Sequence, residues 1–166
     1  MELDDLIPIS EWEKIANDIH NRFGFNGTVY KSDNFILSKS TSPANNLCPV
    51  IKGSKDGVII CSSAQQRLSK IARDSNKLAI GECDAGFTKF VIPIFVNGKF
   101  LGMIGGCGCL IDQSSVDSFY VAKLLGKDEK DIKDLSENTP RLTSDELSEA
   151  ISYTQEHLKR ILKNNT

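Results

Sequence analysis

The sequence predicts an α/β (α+β) domain built on a central antiparallel sheet of about five strands, with helices on both flanks and a helical C-terminal extension. Three observations carry that expectation. Apolar residues recur at helical spacing near both ends of the chain, short apolar runs separated by turn residues fill the middle, and Asn97-Gly98 joins two of those runs. That dipeptide is the strongest short hairpin signal, because both of its positions favour positive φ.

In chain order, Ser10 to Glu13 reads as a capping box, and Trp12, Ile15, Ala16, Ile19 and Phe23 follow helical spacing until Gly24, so a first helix is expected over 10–23. Residues 28–31 and 35–38 read as a small hairpin around the turn-forming Asp33-Asn34. Residues 40–57, rich in Ser, Asn, Pro and Gly, read as an ordered loop with Cys48 on a single helical turn. Ala64, Leu68, Ile71 and Ala72 share one face of a second helix over 56–75. Three strands follow, 78–83, 87–96 and 99–109, with Pro93 placing its strand at an edge or a bulge because proline cannot donate to a ladder. Helices are expected near 114–125 and 128–136, and a last one from 144, opened by the capping box Thr143 to Glu146. Its stripe of Leu147, Ile151, Thr154, Leu158 and Ile161 would dock on the domain, the commoner case, or pair two copies as a homodimer. The chain thus reads as one domain over 1–166, divided into an N-terminal helix (1–24), a sheet core with an inserted helix (25–112) and C-terminal helices (113–166).

Composition narrows the function. Lys and Arg number 20 against 22 Asp and Glu, a net charge of -2, so no broad positive field favours a phosphate backbone and direct nucleic-acid binding is not expected. Residues 1–6 lack the basic start and apolar run of a signal peptide, and no segment approaches about 18 consecutive apolar residues. The expectation is a cytoplasmic protein without a membrane span, whose five cysteines are reduced thiols, free or metal-bound, because an odd number in such a chain fits a disulfide framework poorly.

The cysteines are Cys48, Cys61, Cys83, Cys107 and Cys109, with gaps of 12, 21 and 23 residues between the first four, which match no C-x2-C metal pattern. Regular strand alternation would project Cys107 and Cys109 from one face with Met103 and Gly105. Four glycines around them suggest a strand that lets a ligand come close. Four thiolates suffice for a closed site, so all five cysteines are candidate ligands of an iron–sulfur cluster or, as the less favoured choice, zinc. The bland reading is that cysteine is a small, often buried hydrophobe.

Residues 46–51 around Cys48-Pro49, Cys61 ahead of a helix, Cys83 to Phe87, Pro93-Ile94, Asn97-Gly98 and Leu101-Gly102 together resemble the PocR sensory domain, and 119–146 resembles its helical end; the likeness covers about residues 8–163. It implies a PAS-like ligand-binding fold, of the kind also met in GAF domains, that senses small molecules such as diols and signals to a fused output domain or a partner protein. Either a free-standing sensor or part of a longer regulator would fit. Cys48, Cys61 and Cys83 fall on the family's cysteine positions, whereas Gly106 to Cys109 departs from the family's usual Gly-Gln and brings in thiols.

Two readings follow. In one, the cysteines hold a cluster or metal in a redox or small-molecule sensor. In the other, a metal-free pocket walled by Tyr30, Phe87, Phe90, Ile92, Ile94 and Met103 takes a small hydrocarbon derivative. An enzyme has the least support: His20 and His157 sit on terminal helices away from every cysteine, and residues 102–108 do not match a dinucleotide fingerprint. Glu82 and Asp84, beside Cys83, are the carboxylates nearest a cysteine in sequence.

Overall fold

The computed structural model describes residues 1–165. A short helix α1 (Leu3–Leu6) leads into α2 (Ile9–Phe23), the hairpin β1 (Asn26–Lys31) and β2 (Ile36–Lys39), then α3 (Leu47–Gly53) and α4 (Val58–Ser75). The strands β3 (Ala79–Glu82), β4 (Thr88–Val96) and β5 (Lys99–Ile111) follow, then α5 (Ser118–Leu125), α6 (Glu129–Ser136), β6 (Arg141–Leu142) and α7 (Ser144–Asn164). The expected antiparallel sheet runs β2-β1-β5-β4-β3, and the short β6 adds a parallel pair to the end of β5.

The two faces of the sheet bury different helices. On one, Val29, Phe90, Ile92, Ile94 and Ile104 pack with Trp12, Ile15 and Ile19 of α2 and Leu147, Ile151 and Leu158 of α7. The apolar stripe of α7 is therefore docked on its own domain. On the other face, Val91 and Met103 pack under Leu68 and Ala72 of α4, and Leu47 and Ile51 of α3 join Val121 and Ile132 of the α5–α6 pair. No helix among the described residues is long and apolar enough to cross a membrane.

Local rules account for most boundaries. Asn97 and Gly98 both take positive φ, 51° and 80°, as the hairpin requires. Thr143 caps α7 by accepting from the Glu146 amide, and the Glu146 carboxylate in turn accepts from the Thr143 amide. Pro93 lies beyond the last residue of β4 that pairs with β3, so its missing N–H falls on an open edge. Two expectations shift. Pro8, not Ser10, occupies the N-cap of α2, and the segment around Cys48 forms a seven-residue helix, longer than one turn.

The consequential correction concerns β5. Thr88 pairs with Cys109 and Lys89 with Cys107, so Gly108 is an extra residue, a β-bulge with φ +90°. Alternation stops there. Cys107 stays on the α3–α4 face with Met103, while Cys109 turns to the α2–α7 face and is fully buried in that core. The glycines also serve the protein more than a ligand: a side chain at Gly106 would strike the rings of Phe25 and Phe90, which meet edge to face at 5.2 Å. A Cβ at Gly108 would lie 2.5 Å from Asn26 Nδ2, besides demanding a left-handed backbone of an L-residue. Gly108→Ala should therefore cost about 1–3 kcal/mol, read as a lower urea midpoint; an unchanged midpoint would mean that the bulge is not needed.

Candidate thiol pocket

Between α3, α4 and the sheet lies a cavity of about 40 Å³. Four of the five cysteines line it, each supplied by a different element. Cys48 stands in the first turn of α3, Cys61 in the first turns of α4, Cys83 at the β3–β4 turn and Cys107 on β5. Tyr30, Phe87, Ile51, Ile60 and Ala64 complete the apolar wall, and Lys52 and Lys89 add two ammonium groups. None of the lining residues is Asp or Glu.

Each thiol is placed by local bonding. The buried Asn45 accepts from the amides of Leu47 and Cys48, which starts α3, and its own amide donates to Cys48 Sγ at 3.3 Å and to the Gly108 carbonyl at 2.8 Å. Asn26 accepts from the Ala44 amide and donates to Cys107 Sγ at 3.7 Å. Cys83 holds a tight turn in which its amide bonds to the Phe87 carbonyl and its carbonyl receives the Gly86 amide. Two asparagines thus tie the 40–46 segment to the bulge and present N–H groups to two sulfurs.

Charge divides the thiols. Burial, with the neighbouring Cys107, pushes Cys48 up to about 12, and burial pushes Cys61 up to about 11 and raises Cys83. Burial acts against ionisation of Cys107 as well, but the Lys89 and Lys52 ammoniums and the Asn26 bond outweigh it, so this thiol titrates below its ordinary value. Lys89 is 6% exposed, hydrogen-bonds the Tyr30 hydroxyl at 3.2 Å and lies over the Tyr30 ring at 5.0 Å. Despite burial, Tyr30 and the thiols hold its ammonium charged. Lys52 sits on the exposed rim.

Of the wall residues expected from sequence, Tyr30 and Phe87 line the cavity. Phe90, Ile92 and Ile94 face the opposite side of the sheet, because they alternate with Lys89, Val91 and Pro93. Met103 is on the pocket's side but lies beneath α4, within reach of the Gln65 amide at 3.1 Å. Glu82 and Asp84 are exposed and outside the cavity. His20 bonds the Phe25 carbonyl, and His157 stacks edge-on against Tyr153, both away from the thiols. Sequence reasoning passed over Lys89, although a lysine inside the apolar run 87–96 was a visible signal; Asn26 and Asn45 gave none beyond loop composition. Among the described residues no group of three or more His, Cys, Asp or Glu side chains is placed so as to hold a metal ion.

The family model described as the sensory domain found in PocR matches residues 5–166, nearly the whole chain. The chain belongs to the PocR sensory-domain family. No curated protein matches it. The PocR assignment makes ligand sensing the general role of this domain. The pocket described above lies between the sheet and the helices inserted after β2.

Ionisation of Cys107 ahead of the others has a direct chemical readout, since the thiolate is the nucleophile. Limiting iodoacetamide at neutral pH should label Cys107 of the metal-free protein before Cys48 and Cys61, as peptide mapping by mass spectrometry would reveal. Equal labelling would mean that the ammoniums do not govern the thiol.

Proposed function

We propose that this PocR domain is a sensor whose sensing centre is an iron–sulfur cluster ligated by Cys48, Cys61, Cys83 and Cys107, and that it signals to a partner or a fused output module. The observation that carries this reading is the convergence of four cysteines, far apart in sequence, on one small cavity. A set of four thiols is a donor set suited to a cluster.

The surroundings support the same chemistry. N–H groups aimed at sulfur and fixed positive charge favour thiolate over thiol and tune the potential of a cluster; Asn26, Asn45, Lys52 and Lys89 supply them. Zinc is the poorer fit. It needs four thiolates at about 2.3 Å from a single ion, whereas these thiols line the walls of a cavity and form no group that could hold one ion as placed. Cys109, in the opposite core, is outside the proposed ligand set. A bound cluster would make the domain responsive to oxidants or redox poise. Because Cys48 and Asn45 tie the 40–53 region to the site, ligand loss would loosen that region first.

A metal-free sensor is the second reading, favoured by an open groove of about 410 Å³ that shares Cys48 and Lys52 with the inner cavity. The Thr28, Ser40 and Thr41 hydroxyls beside Lys39 would suit a small polar ligand such as a diol there.

Anaerobic purification with iron and acid-labile sulfide analysis separates the two. The cluster reading expects a brown protein with matched iron and sulfide, complete loss of both in Cys83→Ser, and retention in Cys109→Ala. A colourless, iron-free wild type would leave the groove as the ligand site, and full iron content in Cys83→Ser would remove that residue from the ligand set.

A further inference from the structure

Lys89 is the costliest side chain in the molecule to explain. An ammonium is rarely buried unless it is paired, because taking it out of water costs several kcal/mol. Lys89 points inward from β4, where it has the Tyr30 hydroxyl and ring as neighbours but no carboxylate within ion-pair distance among the described residues. The cavity it lines contains no acid except thiols and the Tyr30 phenol. Directly across the ladder stands Cys107, its register partner. Residues facing each other on one side of an antiparallel pair have Cβ atoms about 4.5–5.5 Å apart. The bulge at Gly108 is what preserves this pairing while sending Cys109 to the other face.

We propose that Lys89 is the charge partner of the pocket's thiolates and sets the reduction potential of the centre they hold. This rests on the cluster reading above. Four thiolates give such a centre a net negative charge, and the addition of one electron makes it more negative. A fixed ammonium in a low-dielectric wall favours the reduced form more than the oxidised one, so it raises the potential. Lys52, on the solvent-exposed rim, is screened and contributes less. Tyr30 is the positioning residue: its hydroxyl accepts the ammonium's hydrogen bond, and its ring face lies beneath the cation.

The test compares Lys89→Met and Lys89→Arg with the wild type, all loaded anaerobically and titrated with dithionite as the one-electron reductant. Lys89→Met should shift the midpoint potential to more negative values while Lys89→Arg stays near the wild type. Melting of the metal-free proteins gives the second readout. At acidic pH, where the pocket's thiols are protonated, Lys89→Met should melt at or above the wild type, because a buried charge is removed and neither a carboxylate nor a thiolate loses a partner. Loss of iron from the Met variant with retention by the Arg variant also supports the proposal, and loss from both counts against it. An unshifted potential in Lys89→Met at full iron content would overturn it, and so would a lower melting point of that variant without metal at acidic pH, which would make Lys89 a structural prop. A wild type that takes up no iron defeats the cluster reading itself, and this proposal with it, before any variant is compared.

Discussion

One extra residue in β5 decides which thiols share a cavity. The bulge at Gly108 requires a left-handed backbone and leaves no room for a side chain against Asn26. Without it, strand alternation would put Cys107 and Cys109 on the same face. With it, one thiol joins Cys48, Cys61 and Cys83 around a common cavity, and the other becomes core packing beside α2 and α7. Asn45 closes the arrangement by binding the Gly108 carbonyl, the start of α3 and the Cys48 sulfur at once. Backbone geometry, loop position and thiol placement are one constraint.

Electrostatics then gives the cavity its character. Desolvation holds Cys48, Cys61 and Cys83 against ionisation, whereas at Cys107 Lys89, facing it across the ladder, with Lys52 and Asn26, outweighs the same penalty. The pocket has no carboxylate among its lining residues, and its ammonium groups and N–H donors favour the anionic form most at Cys107. The PocR family supplies the general role of sensing, and these residues line this chain's pocket.

Much of the fold was legible because local rules and packing agree. The Asn97-Gly98 hairpin, the Thr143 capping box and the periodicity of α2 and α7 lie where turn chemistry and spacing put them, whereas in α4 Ala64, Leu68 and Ala72 are buried as expected but Ile71 turns out to solvent. The α7 stripe could not declare from sequence whether it would meet its own domain or another copy, since the same apolar face serves both. Ser10 lost its capping role to Pro8, because a short preceding helix sets where α2 begins. The site was half legible. Cysteine count and family positions singled out the residues of which four line the cavity, but the period-two rule failed at Gly108, where glycine permits what alternation forbids. Phe90, Ile92 and Ile94 looked like pocket walls on composition alone, and only the register assigns them to the other face. Lys89 was readable as an anomaly in an apolar strand, but its partner was not.

If four thiols, and not the fifth, form one sensing centre, anomalous diffraction at the iron edge from anaerobically grown crystals should show a single iron peak enclosed by Cys48, Cys61, Cys83 and Cys107, with Cys109 in the opposite core. An iron site bonded to Cys109, or a pocket with no iron peak and an organic ligand in its place, would contradict it.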